Sequence, residues 1–83
     1  MNIYVGNLNY SVKEEELEQI FGEYGEVISV KIITDKYSGR SKGFGFIEMA
    51  SNEEGTNAIN ELNGKDLKGR DLKVNEARPP KEN

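Results

Sequence analysis

The chain has 83 residues with neither cysteine nor histidine, so one modest core burying roughly 60% of the unfolded surface is expected; disulfides, thiolate metal sites, the usual zinc ligands and the commonest general base are all excluded. MNIYVGN runs straight into a strand-like pattern with no basic segment or apolar leader, and no long apolar run follows, which predicts a cytoplasmic protein without a membrane partner. A net charge of −4 argues at first sight against nucleic acid, whose partners usually carry a basic patch.

In chain order, residues 2–8 alternate Ile3 and Val5 with Tyr4 and Gly6 and predict a first strand ending near Asn7, with Tyr4 facing away from the core. The sequon Asn9-Tyr10-Ser11 is read as a chance match, since glycosylation needs a secretory route. Residues 13–24 place Leu17, Ile20, Phe21 and Tyr24 at helical spacing. Glu14, Glu15 and Glu16 occupy the first turn, where the helix dipole favours them. Ser11 and Glu14 match a capping box, and a start at Lys13 fits equally. Gly25 suits the position just past the helix end. Residues 27–34 are a β-branched run and predict a second strand, with Val30 and Ile32 on one face and Ser29, Lys31 and Ile33 on the other. The polar loop 35–41 turns around Ser38-Gly39 and brings Lys36 and Arg40 close to Lys42.

Residues 42–49, KGFGFIEM, form the third strand. Period two puts Lys42, Phe44, Phe46 and Glu48 on one face and Gly43, Gly45, Ile47 and Met49 on the other. The second set has no charge and is the core face, its glycines expected to let a helix pack close. The first set has a charge at each end and cannot be fully buried. Taken alone, the octapeptide leaves two readings open: ordinary core phenylalanines with the glycines marking a bulge, or a stacking platform for unpaired bases.

Residues 51–62 open with Ser51-x-x-Glu54, a second capping box, and continue with Ala58, Ile59 and Leu62 at helical spacing until Asn63-Gly64. Residues 65–70 read as a turn-rich link. Residues 71–76 predict a fourth strand with Leu72 and Val74 inward and Lys73 and Asn75 outward. The order strand, helix, strand, strand, helix, strand is the split βαβ pattern. It predicts an α+β, ferredoxin-like βαββαβ fold: a four-stranded antiparallel sheet with two helices on one face. The open face then carries Tyr4, Lys31, Ile33, Phe44, Phe46, Lys73 and Asn75, an apolar patch interleaved with lysines that monomers rarely expose without a use. Charge segregates as well. Residues 13–26 carry −5 and residues 51–62 carry −3, so a total of −4 leaves +4 for the rest of the chain.

Over nearly its whole length the chain resembles the RNA recognition motif family. Ile3-Tyr4-Val5-Gly6-Asn7-Leu8 is similar to the family's hexapeptide on the first strand, and Lys42 to Met49 to its octapeptide on the third. Met49 stands where the family usually has Phe or Tyr, at a core-facing position where Met is a tolerant filler. The resemblance implies that Tyr4 and Phe46 stack on bases, that Phe44 lies against a sugar or base, and that Lys42 meets a phosphate. It implies further contacts from Lys31, Ile33, Arg40, Glu48, Lys73, Asn75, Ala77 and Arg78. The expected partner is single-stranded RNA, with single-stranded DNA weaker and with weak to moderate sequence preference. The expected state is a monomer without cofactor or enzymatic activity. Residues 1–78 would form the domain and 79–83 a short disordered tail; the opening at Met1 and the ending VNEARP resemble compact single-domain bacterial members. The alternative is a protein-interaction module on the same fold, although relatives that turned to protein partners typically lose the aromatic positions. An acylphosphatase-type hydrolase on a ferredoxin-like scaffold would need an early arginine, and the first here is Arg40.

Overall fold

A computed structural model describes residues 1–77. In chain order the elements are β1 (Asn2–Gly6), α1 (Glu14–Gly22), β2 (Val27–Thr34), β3 (Ser41–Met49), α2 (Asn52–Leu62), a small hairpin of β4 (Asp66–Leu67) and β5 (Arg70–Asp71), and β6 (Lys73–Glu76). The main sheet has the order β2-β3-β1-β6, with every neighbouring pair antiparallel. This is the expected ferredoxin-like architecture. Among the described residues no helix is long and apolar enough to cross a membrane.

The core follows from the alternation. Ile3, Val5, Ile47, Met49 and Val74 are buried on one sheet face against Leu17 and Phe21 of α1 and Ala58 and Leu62 of α2. Among the described residues no polar or charged side chain is buried, so the acid of the helices stays in water. α2 begins where its sequence predicts, with the serine half of the expected capping box: the Ser51 hydroxyl accepts from the Glu54 backbone N–H at 3.2 Å, satisfying one of the orphan donors of the first turn.

The start of α1 differs from the Ser11 capping box. Ser11 turns back to Asn9, donating from its backbone N–H and its hydroxyl to Oδ1, each at 2.9 Å. The helix starts two residues later, at the alternative position, with Lys13 as the N-cap residue and the Glu16 carboxylate accepting from the Lys13 backbone N–H at 3.3 Å. Gly25 is not a left-handed helix terminator either, because no positive φ occurs there. A Cβ at Gly25 would run into the Glu54 side chain, so this glycine admits the first turn of α2.

β3 is buried at Gly43, Gly45, Ile47 and Met49, as period two predicts, but its glycines do not make room for a helix. A Cβ on Gly45 would lie 2.5 Å from the Lys31 carbonyl oxygen and 3.0 Å from the Ile32 Cα; the close neighbour is the backbone of β2. The register between β2 and β3 shifts twice, between Val27 and Ser29 and between Ile32 and Thr34. The first shift leaves Ile28 unpaired and 55% exposed, which is how Val27 and Val30 both pack against the core although they are three residues apart. Near the second shift the Ile32 backbone N–H donates to the Glu14 carboxylate at 2.9 Å. Part of the glutamate run is therefore a structural tie between α1 and β2.

Residues 65–71 also fold beyond the expected link. Lys68 and Gly69 both have positive φ, at 52° and 87°, as a two-residue primed turn requires, and they close the β4–β5 hairpin. The fourth sheet strand consequently begins at Lys73 rather than Asp71, with Leu72 and Val74 buried as predicted.

Candidate nucleic-acid interface

The open sheet face is built in cross-strand rows. Tyr4 pairs with Phe46 on β3 and with Asn75 on β6, and Phe46 pairs with Lys31 on β2, so Asn75, Tyr4, Phe46 and Lys31 form one line across all four strands. Phe44, two residues before Phe46 on the same face, completes a triangle. Ring centroids are 5.9 Å apart for Tyr4 and Phe46, 6.0 Å for Tyr4 and Phe44, and 6.1 Å for Phe44 and Phe46. These spacings are within the range of favourable aromatic pairs. The rings therefore stiffen one another while Phe46 remains 40% exposed. None of the three belongs to the buried core.

Gly6 sets the attitude of the Tyr4 ring. A Cβ there would come within 2.8 Å of the ring's Cε1, so the ring lies over Gly6 and close to the sheet. Only a residue without a side chain leaves that space.

Around the triangle, Lys31, Lys42, Lys73 and Asn75 are exposed, Ile33 and Ala77 are half-buried, and Glu48 is exposed in the row of Asn2 and Ser29. Arg40 and Lys36 sit in the β2–β3 loop. That loop is held by the Asp35 carboxylate, which accepts from the backbone N–H groups of Tyr37 and Ser38 at 2.8 and 3.1 Å. The Tyr37 bond, then the Ser38 bond, keeps the Asp35 carboxyl below its ordinary pKa. Asp35 and Arg40 also close the loop through their backbones, at 2.8 Å. Arg78 and the tail 79–83 lie outside the described residues.

Beside the triangle a cleft of about 240 Å³ opens between β1, β3 and the β4–β5 hairpin, lined by Tyr4, Asn7, Leu8, Tyr10, Lys42, Gly43, Phe44 and Arg70. Sequence reasoning did not assign Asn7, Tyr10 or Arg70 to the site. Tyr10 is 70% exposed, and an aromatic ring three residues past the predicted β1 end was the available signal. Arg70 carried none, because its approach depends on the hairpin.

The chain matches the RNA recognition motif family over residues 3–73. RbpB of Nostoc sp. is 54% identical over 79 residues, covering 95% of this chain and 77% of RbpB. Among solved structures, the crystal structure of RNA binding protein PG1 superposes with a TM-score of 0.93 at 50% identity, covering 99% of both chains. The structure of the Rna15 domain with bound RNA (GU) gives 0.84 at 35% identity, covering 94% of this chain and 83% of that one. With the fold, both motif strands and these relatives in agreement, the chain belongs to the RNA recognition motif family.

Proposed function

We propose that this chain binds single-stranded RNA on its open sheet face, as a cytoplasmic monomer formed by residues 1–78 and without enzymatic activity, with single-stranded DNA as a weaker ligand. The observation that carries the proposal is the triangle of Tyr4, Phe44 and Phe46, half-buried to exposed on the sheet and within 6.1 Å of one another. Bases have π-faces whatever their identity, so such a platform favours unpaired nucleic acid with little sequence preference. Tyr4 and Phe46 are the stacking rings, Phe44 packs against a sugar or base, and Lys42 meets a phosphate. Lys31, Arg40 and Lys73 add positive charge, while Asn75, Ala77, Ile33, Glu48 and Arg78 border the strand. The bound relative named above supports the ligand class. With two or three stacked bases and few phosphate contacts, the dissociation constant for a short oligonucleotide is on the order of micromolar. An NMR titration with RNA oligonucleotides is expected to shift the amides of β1 and β3 around Tyr4 and Phe46 and leave those of α1 and α2 in place. Shifts confined to the helices, or none at millimolar RNA, would refute the proposal.

A further inference from the structure

We propose that the outer edge of β2 around Ile28 and Val30 docks a basic polypeptide segment in extended form, at a place apart from the open sheet face. β2 is an end strand of the sheet, so one row of its backbone groups has no strand beside it. Ile32 spends its outward N–H on the Glu14 carboxylate at 2.9 Å. Val30, two residues earlier with no register shift between them, turns its N–H and C=O to the same side. Among the described residues no loop backbone bonds to those two groups. Glu14 thus closes the edge at one end, and the bulge between Val27 and Ser29 interrupts it at the other, which leaves room for a short added strand. Ile28 is the anchor. Among the described residues the exposed large apolar side chains are Tyr10, Ile28, Tyr37 and Phe46. Phe46 belongs to the ring triangle, Tyr10 to the cleft beside it and Tyr37 to the basic β2–β3 loop, so Ile28, 55% exposed, is the one that the RNA-binding reading leaves unused.

The charge of the partner follows from what surrounds that edge. Glu14 and, one helical turn on, Glu18 stand on the flank of α1 beside β2. Glu26 precedes Ile28 by two residues, and its carbonyl accepts from the Ala50 N–H at 3.0 Å, which holds the start of β2 against the end of β3. Glu48 pairs with Ser29 across the strands. Among the described residues none of these four carboxylates forms an ion pair. Lys31 is the one cation of β2, and its row leads to Phe46 on the open face. A nucleic-acid strand is therefore repelled from this edge, whereas a segment with an apolar residue against Ile28 and lysine or arginine on either side of it is attracted. Main-chain pairing with Val30 supplies affinity without regard to sequence, and the apolar and basic side chains supply selectivity. An edge strand is ordinarily blunted by its own charges; here the carboxylates stand around an exposed isoleucine, so they repel other acidic edges and admit a basic one. Lys36 and Arg40 lie at the opposite end of the β2–β3 hairpin, roughly 20 Å away at about 3.3 Å per residue, so a docked segment leaves the proposed phosphate contacts of that loop open.

The test is an NMR titration of the full chain with a short synthetic peptide that alternates lysine with valine and threonine, beside the same peptide with glutamate for lysine and a third with every backbone nitrogen methylated. Ile28→Ala, Glu26→Lys and Phe46→Ala are titrated in parallel, with thermal melts and RNA titrations on each. The lysine peptide is expected to shift the amides of residues 26–32 and to leave the Tyr4 and Phe44 ring signals in place, with a dissociation constant on the order of 100 μM. Ile28→Ala and Glu26→Lys should each weaken it about fivefold while melting close to wild type and keeping wild-type RNA affinity, and Phe46→Ala should bind the peptide as wild type does. Equal binding of the glutamate peptide overturns the charge argument, and undiminished binding of the methylated peptide overturns strand addition. Displacement of the peptide by RNA, or its loss in Phe46→Ala, places it on the ring platform and overturns the proposal. Shifts at residues 26–32 that grow with protein concentration alone assign the edge to a second copy of the chain, and absence of binding at millimolar lysine peptide removes the site; both overturn the proposal and leave RNA binding by the rings untouched.

Discussion

Replacing Phe46 and Ile47 in turn separates the two faces of β3, because these adjacent residues have opposite surroundings. Ile47 is 1% exposed and packs within the cluster formed with α1 and α2, so Ile47→Ala should cost about 2–5 kcal/mol of folding free energy. The molecules that remain folded should bind RNA with wild-type affinity. Phe46 is 40% exposed, and its protein contacts on the open face include edge-on pairings with Tyr4 and Phe44. Such pairs contribute about 0.5–1.5 kcal/mol each, so losing both should cost Phe46→Ala roughly 1–3 kcal/mol of stability, no more than the lower end of the 3–5 typical of an emptied buried Phe site. It should also weaken RNA binding. Losing one stacked base removes about 1–3 kcal/mol, or a rise in dissociation constant between about 5-fold and 150-fold. Thermal melts and fluorescence anisotropy on both variants provide the numbers, with Tyr4→Ala as a second stacking probe. A folded Phe46→Ala that binds RNA as tightly as wild type would refute the stacking role, whatever the fate of Ile47→Ala.

Other outcomes follow from the same geometry. If about three of Lys31, Lys36, Arg40, Lys42, Lys73 and Arg78 engage phosphates at once, the log–log salt dependence of binding should have a slope near −2, at roughly −0.7 per contact; a slope steeper than about −5 would contradict that contact count. Gly45→Ala should destabilise the fold by about 2 kcal/mol or more, because its Cβ would press on backbone atoms of Lys31 and Ile32. Gly6→Ala should instead melt close to wild type and lose RNA affinity, because the atoms it meets belong to the movable Tyr4 ring; the reverse pattern in melts and titrations would show the two glycines misassigned. The Glu16 carboxyl is held below its ordinary pKa, first by the Lys68 hydrogen bond. A depressed carboxylate stabilises the fold above its ordinary value and loses that contribution as pH falls through the lowered one. Acid melts below about pH 4.5 should therefore be less steep for Glu16→Gln, and identical acid limbs would remove the tie from the account.

The main strands and α2 were legible in the sequence because each has one dry face. Ile3 and Val5, Ile47 and Met49, Leu72 and Val74 alternate with polar or aromatic residues, and the structure buries those six. Ser51 was legible as a cap because nothing nearby competes for its hydroxyl, whereas Ser11 is claimed by Asn9. The bulge at Ile28 and the purpose of Gly45 depend on how β2 sits against β3, a pairing of distant segments that no local pattern records. The β4–β5 hairpin was missed because its arms have two residues each and its turn begins with Lys68 in a conformation lysine rarely adopts. Of the site, period two placed all three rings on one face. The cleft stayed hidden, since Asn7 and Arg70 meet across 63 positions.

The acidic total has a spatial resolution. Segments containing the two helices carry −8 between them and the remainder +4, and the helices pack on the sheet face opposite the rings. The molecule is only 19 Å along its thinnest axis, so in pure water the glutamates would act on anything bound to the sheet. At physiological ionic strength the screening length is about 8 Å, comparable to the separation between a helix layer and the sheet it covers. In the proposed binding mode a phosphate on the open face would meet Lys31, Lys42 and Lys73 at close range and the helix glutamates through more than one screening length. Net charge would then govern long-range encounter at low salt, and the local lysines the bound state at physiological salt. The arrangement reconciles a pI of about 4.8 with the nucleic-acid ligand proposed above.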